Sequence, residues 1–281
     1  MNTDNPNTVS IVVRIRNEAP ALEKLFRALS VQTLQPSEIV VVDNDSTDGS
    51  KETAVKHGAK LINIAQSEFT YGRALNLGIR ECTAKYIVLL SAHALPLGRE
   101  FLEKVIAPFC DPRVAATRCM IVTKFHELEN WMEPSVLEWP VDVFNLVEKG
   151  PIASGCAIRK DLWEQVPFNE KLEAVEDKFW AGELLKKGYV VARSEAMYLH
   201  TRRRRLVEAV RIMNRERVEV FRTTGYRWPV PAPSLARLFK AIVLSAPRAA
   251  LNLIVREVLI YCYLKTVPFQ ARRKQRVGSI V

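Results

Sequence analysis

The chain has 281 residues and a mass of 31.9 kDa, is 48% apolar and 26% charged, and sets 41 Lys and Arg against 31 Asp and Glu for a net charge of +10. That length and balance give one large or two small folded domains with ample core, and exclude a disordered chain, a collagen-like repeat and a polytopic membrane protein. Residues 1–192 carry 22 basic and 26 acidic side chains whereas 193–281 carry 19 and 5, so a near-neutral body ends in a cationic tail suited to anionic partners.

Residues 8–15 are an apolar, β-branched run that reads as a strand ending on Arg-Asn-Glu. Leu22, Leu25, Phe26 and Leu29 then recur at helical spacing, with Asn17 placed to cap that helix. A second strand at 38–42 runs out on Asp43-Asn-Asp-Ser-Thr-Asp-Gly-Ser50, a turn able to cap a helix over 51–57. A third strand at 60–64, a helix ending at Cys82 and a fourth strand at 86–90 continue the alternation. Fully apolar strands alternating with helices predict an α/β fold with a mostly parallel sheet covered on both faces. Ligands of such sheets bind beyond the carboxyl ends of the strands, which singles out residues 14–18, 43–48 and 91–96.

From 124 to 151 the pattern loosens, before a short strand at 152–158, a helix over 176–187 and a strand at 189–192. After His200 the chain turns arginine-rich and helical. Charge, periodicity and proline content (Pro229, Pro231, Pro233) all change near 200–230, which divides the chain into an α/β domain at 1–200 and a basic helical C-terminal extension at 201–281. The five cysteines are odd in number and form no CxxC pair, as expected of free thiols in a reducing compartment. The polar first eight residues lack a signal-peptide core, so a cytoplasmic location is expected.

Five strings occur in the order found in the family 2 glycosyltransferases: Val-Ser-Ile-Val-Val (9–13), Val-Val-Val-Asp-Asn-Asp-Ser-Thr-Asp-Gly-Ser (40–50), Ala-Leu-Asn-Leu-Gly-Ile (74–79), Tyr-Ile-Val-Leu-Leu-Ser-Ala-His-Ala-Leu-Pro (86–96) and Glu-Asp (176–177). The chain resembles that family over roughly residues 8–200, which implies its GT-A, Rossmann-like fold. The Arg-x-Arg-Asn-Glu opening (14–18) is similar to rhamnosyltransferase-like members. The resemblance implies inverting transfer of a sugar from a UDP- or dTDP-linked donor to a saccharide or lipid-linked acceptor, in cell-surface polysaccharide assembly. A non-catalytic nucleotide-sugar-binding or scaffold protein is the alternative.

By that resemblance Asp43 takes a hydrogen bond from the donor's pyrimidine ring, with the closing of a turn as its purely structural alternative; Asp48, nearer the helix start, suits the structural role better. Arg14, Arg16, Asn17 and Glu18 form the first loop, where Arg16 replaces the family's usual aromatic and can meet a base or a diphosphate. Arg73 and Asn76 are assigned to the nucleotide sugar, and Gly155 to close approach of backbone to a ligand. Ser91-Ala92-His93 stands where the family carries Asp-x-Asp. Ser91 is a poor metal ligand, but His93, together with His200, could bind a divalent cation, Mn²⁺ in preference to Mg²⁺; hydrogen-bonded structural histidines are the even alternative. Asp177 is expected as the base that deprotonates the acceptor, with Glu176 positioning the acceptor or the loop, against a plain helix-dipole role for both.

In the tail, Arg204, Arg211, Arg215 and Arg222 share one helical arc and Leu206, Val207, Val210, Met213, Val218 and Phe221 another. Charges at Arg248, Arg256 and Glu257 interrupt every apolar run, which disfavours a spanning helix. Peripheral contact with the inner face of the membrane and packing on the body or on a second copy stay open. Few aromatics interleave with the arginines, so no nucleic-acid partner is expected.

Overall fold

The computed structural model describes residues 9–122, 135–202 and 206–228. The chain divides into two compact units, one running to Leu172 and resuming over Glu176–Arg202, the other comprising Glu173–Val175 and the chain from Arg203.

The first unit opens with β1 (Val9–Ile15), α1 (Ala19–Ser30), β2 (Glu38–Asp43), α2 (Ser50–Lys56), β3 (Lys60–Asn63), α3 (Tyr71–Arg80) and β4 (Tyr86–Ser91). It continues with β5 (Ala94–Leu97), α4 (Phe101–Ile106), β6 (Val114–Val122), β7 (Val136–Leu137), α5 (Val143–Lys149), β8 (Gly155–Arg159), α6 (Lys160–Gln165), α7 (Glu176–Lys186) and β9 (Val190–His200). The strands form one sheet in the order β3-β2-β1-β4-β8-β6-β9-β5, with β7 on β9. The expected parallel arrangement holds from β3 to β4, where strands buried on both faces can be apolar throughout. Beyond β4 the sheet is mixed, because β8 enters antiparallel between β4 and β6.

Alternate residues of each strand feed two cores. Ile11, Val13 and Ile15 of β1 meet Leu22, Leu25, Phe26 and Leu29 of α1 on one face; Val12 joins Leu75, Ile79, Trp163 and Trp180 on the other. Helix α3 lies so close to the sheet that a Cβ at Gly78 would come within 2.5 Å of Val12 Cγ1. Each fully buried leucine here would cost about 2–5 kcal/mol if cut to alanine. Cys82, Cys119 and Cys156 are buried free thiols and Cys110 an exposed one; burial pushes Cys82 and Cys119 up to about 12, which keeps them protonated.

The register fixes the edge that carries the site. Ile15 lies beside Asp43, Arg14 beside Ser91, and Ala94 opposite His200. The expected strand at 189–192 runs on to His200, with a register shift between Arg118 and Met120 of its partner β6.

Of the second unit, α8 (Leu206–Thr224) bears out the helical reading after His200. Near its end Arg222 pairs with Glu219 and, at 3.9 Å, with Glu173. No helix of the described residues is long and apolar enough to cross a membrane. Leu235, Leu238, Phe239 and Ile242, which their spacing puts on one side of an expected helix, and the charge interruptions at Arg248, Arg256 and Glu257 lie outside the described residues.

Candidate active site

Three loops at the carboxyl edge of the sheet are tied to one another. Asn17 adopts a left-handed φ of 53°, a conformation asparagine tolerates better than most residues. Its N–H donates to Ser46 Oγ at 2.9 Å, and its Oδ1 accepts from Thr47 N at 2.8 Å. Glu18 N–H donates to Ser50 Oγ (2.9 Å) and Ala19 N–H to Asp48 Oδ2 (3.0 Å). The helix cap expected of Asn17 is therefore supplied by Asp48 from the neighbouring loop, while Asn17 is a strut between loops. Asp48 also accepts from Ser50 N and Ser50 Oγ, so one carboxylate organises the starts of both α1 and α2.

Asp43 is fully buried at the end of β2. Its Oδ2 accepts from Ser46 N at 3.0 Å and lies 3.5 Å from Lys51 Nζ, a partner the sequence did not single out. Its Oδ1 is buried with no hydrogen-bond partner, as is Asn44 Oδ1 beside it. An unmet buried acceptor costs about 1–3 kcal/mol, which a ligand N–H would remove.

His93 and His200 come together because β5 and β9 pair up to their ends. Thr201 N–H and its hydroxyl both donate to His93 O, at 2.9 and 3.1 Å, and the two imidazoles meet edge to face with centroids 4.5 Å apart. His93 Nδ1 faces Glu18 Oε1 at 3.0 Å, and Arg202 Nη1 lies 3.4 Å from the same oxygen. A neutral His93 donating Nδ1–H to Glu18 keeps Nε2 as a lone-pair donor, the arrangement in which carboxylates orient metal-binding histidines. Among the described residues no three His, Cys, Asp or Glu side chains are grouped as a metal cage. The two nitrogens thus fit a transition ion only where ligand oxygens complete its shell.

Glu176, Asp177 and Lys178 are all buried at the start of α7, which is unusual for three consecutive charged residues. Val175, just before them, has a φ of 59°, a strained conformation for a β-branched side chain. Asp177 Oδ2 accepts from Ala153 N and Oδ1 from Lys178 N, both at 2.8 Å, which holds the carboxylate in one orientation. Lys178 Nζ donates to Gly150 O at 2.7 Å. Glu176 Oε1 lies 3.6 Å from Arg14 Nη1, and the Arg14 guanidinium stands over the Tyr71 ring at 4.8 Å. Arg14 thereby links β1 to the acidic pair, and Tyr71, unmarked by any motif, braces it.

Other expected residues fall elsewhere. Asn76 is a structural strut: its Nδ2 donates to Phe168 O and Glu170 Oε1, and its Oδ1 accepts from Trp163 Nε1 and Phe168 N, leaving no hydrogen bond for a ligand. Gly155 is required by Tyr198, whose ring a Cβ would strike at 2.1 Å, so its lack of a side chain serves packing instead of ligand approach. Arg73 lies 3.3 Å from Glu68 at the start of α3. Arg16 is exposed in the first loop, and Ser91 is buried beside Arg14.

Residues 10–159, more than half of the chain, match the model of glycosyl transferase family 2, and the chain belongs to that family. Over 180 residues it is 27% identical to the O-antigen chain rhamnosyltransferase WbaN of Salmonella anatum, covering 59% of this chain and 57% of that one. Over 207 residues it is 24% identical to the O-antigen chain rhamnosyltransferase RfbN of Salmonella typhimurium, covering 69% and 66%. It spans less than two thirds of the length of either relative. Among solved structures it is similar to the mannosyltransferase PcManGT from Pyrobaculum calidifontis in complex with GDP-Man and Mn²⁺, with a TM-score of 0.63 at 20% identity over 94% of this chain and 86% of that one. At that identity the likeness is one of fold, and the architecture is GT-A.

Proposed function

We propose that the protein is an inverting glycosyltransferase that moves a sugar from a UDP- or dTDP-linked donor to a saccharide or lipid-linked acceptor in cell-surface polysaccharide assembly, working at the cytoplasmic face of the membrane. The observation that carries this reading is the buried Glu176-Asp177 pair, with Asp177 held by two backbone N–H groups and Glu176 beside Arg14. That the two Salmonella relatives are O-antigen chain rhamnosyltransferases supports a rhamnosyl donor.

In this reading the acceptor hydroxyl attacks the anomeric carbon, Asp177 takes the hydroxyl proton, and the bond from that carbon to the diphosphate breaks on the opposite side. Asp43 Oδ1 receives the ring N–H of the base. Asn17 and Glu18 hold the loop that encloses the donor, and Arg14, Arg16, Arg73 and Arg202 supply positive charge toward the departing diphosphate. His93 and His200 would hold a divalent ion, Mn²⁺ in preference to Mg²⁺, whose chemistry when bound is to stabilise charge on that diphosphate, and Ser91 would meet the nucleotide sugar. PcManGT in complex with Mn²⁺ supports this, on the same fold.

The test is Asp177→Asn, which keeps shape and most hydrogen bonding but cannot take a proton. Donor affinity and melting temperature should stay near those of the parent while transfer falls by roughly 10²–10⁴-fold. Transfer at the parental rate removes Asp177 from the reaction, and donor binding without turnover in the parent favours the scaffold alternative.

A further inference from the structure

A cavity of about 310 Å³, within the size range of small-molecule clefts, opens between β6, β7, β9 and the end of α5. Three cations line it, Arg118, Lys149 and Arg193, with one carboxylate, Glu148, and an apolar wall that includes Val136 and Leu137. The pairing register sets Arg118 of β6 beside Arg193 of β9. Each guanidinium is also anchored: Arg118 donates to Glu148 O at the end of α5, and Arg193 Nε to Ser135 Oγ at 3.0 Å. Anchored guanidiniums keep their geometry, which favours recognition of an oxyanion by fork-shaped hydrogen bonding.

The cavity adjoins the start of α7. Gly150, next to Lys149, accepts from Lys178 Nζ, and Lys178 N–H donates to Asp177. Arg118 pairs in the sheet with Cys156, three residues after Ala153, whose N–H holds Asp177. In the sheet order β6 and β9 lie beyond β8 from β2, so a molecule seated in the cavity is on the side of the Asp177-bound Ala153 away from Asp43, where we place an acceptor if Asp177 is the base.

We propose that this cavity is an acceptor subsite which recognises an anionic group, a phosphate or a carboxylate, on the saccharide being extended, through Arg193, Arg118 and Lys149. The assignment to the acceptor rests on the glycosyltransferase reading; the anion site itself does not. An oxyanion between Arg118 and Arg193 adds to the contacts each already makes, and the Val136 and Leu137 wall accommodates the apolar face of a sugar ring.

The test is calorimetric titration of the full chain, presaturated with UDP or dTDP, with three probes: glucose 1-phosphate, methyl glucuronide and the neutral methyl glucoside. At least one charged probe should bind roughly tenfold or more tightly than the neutral one, as hydrogen bonds to a charged group imply. Arg193→Gln and Lys149→Glu should each weaken that binding severalfold or more, while Arg193→Lys retains most of it. Lys149 is exposed, so its variant reports on charge without disturbing packing. Preference for the phosphate identifies a glycosyl phosphate such as a lipid carrier presents; preference for the glucuronide identifies a uronic acid in the chain. Equal affinity for charged and neutral probes, or charged-probe binding unaltered in both Arg193→Gln and Lys149→Glu, overturns the proposal. Failure of UDP and dTDP to bind, with no donor turned over, sinks the glycosyltransferase reading separately, since the probe titrations still report on the cavity.

Discussion

At the scale of single residues, the informative atoms are those the fold leaves unmet or places with no room to spare. Asp43 Oδ1 is buried and unpartnered while Oδ2 is held by Ser46 N–H and Lys51, so the carboxylate is fixed with one acceptor in reserve. Asp43→Ala should weaken UDP or dTDP binding by roughly 1–3 kcal/mol with the fold intact. Unchanged nucleotide affinity in a calorimetric titration would take Asp43 out of the site. A second prediction concerns His93, whose Nδ1 is engaged by Glu18. Transfer should be supported by Mn²⁺ better than by Mg²⁺, and His93→Ala should abolish that preference. Full activity in excess chelator would leave the arginines to stabilise the diphosphate alone. Asp43, Glu176 and Asp177 stand out in the sequence because each ends a strand or begins a helix within a recognisable string, and His93 because it lies in the turn just after one. For Asn76 and Gly155 the same kind of evidence suggested a ligand, and the structure gives them packing contacts. Their strings mark positions of tight packing, and nothing local reveals that Trp163, Phe168 and Tyr198 arrive there from 43 to 92 residues away.

Among elements, the alternating strands and helices of the first half were legible, including the short α2 and β3 that turn residues bracket, whereas short elements outside that alternation were not. Strands β1, β2 and β4 and helices α1 and α3 have enough turns or alternations to declare themselves, whereas β5, α4, α5 and α6 are four to seven residues long and take their form from what they pack against. The capping of α1 is likewise non-local, since its donor Ala19 N–H finds Asp48 in the next loop. Partial burial alone would raise the Asp48 carboxyl, but hydrogen bonds from the Ser50 hydroxyl, Ala19 N–H and Ser50 N–H outweigh it and hold the group below the ordinary aspartate range. With the folded pKa beneath the unfolded one, the stability Asp48 contributes is complete above about pH 4 and is lost as pH falls through the lowered folded value. Asp48→Ala should cost about 0.5–2 kcal/mol at neutral pH, the usual worth of a helix cap. It should also flatten the acid limb of the denaturation midpoint measured between about pH 5 and pH 3. A variant with the parental midpoint and acid slope would show that Asp48 contributes no cap.

On the scale of the whole molecule, sequence order and sheet order part company, and that limits what a linear reading can reach. The switch from β1 to β4 at the centre of the sheet brings residues 14–18, 43–48 and 91–94 to one edge, as the alternation of strands and helices implied. The antiparallel entry of β8 and the extension of β9 to His200 arise from long-range pairing that no local pattern encodes. Charge is the whole-molecule property most plainly written in the sequence: residues 193–281 hold 19 basic and 5 acidic side chains, and the described helices include none able to span a bilayer. A cationic, partly apolar tail on a near-neutral body is suited to an anionic lipid surface, with attraction that weakens as salt rises. The full chain should therefore sediment with vesicles containing phosphatidylglycerol, and less so in high salt. A chain ending before Pro233 should stay in the supernatant yet still transfer sugar to a soluble acceptor. Were the shortened chain insoluble, or monomeric where the full chain is a dimer, the tail would be packing on protein and the membrane role would fall. Equal sedimentation of both chains would place lipid contact on the body itself, where the exposed Val136, Trp139 and Phe144 beside the cationic cavity are the apolar surface to probe next.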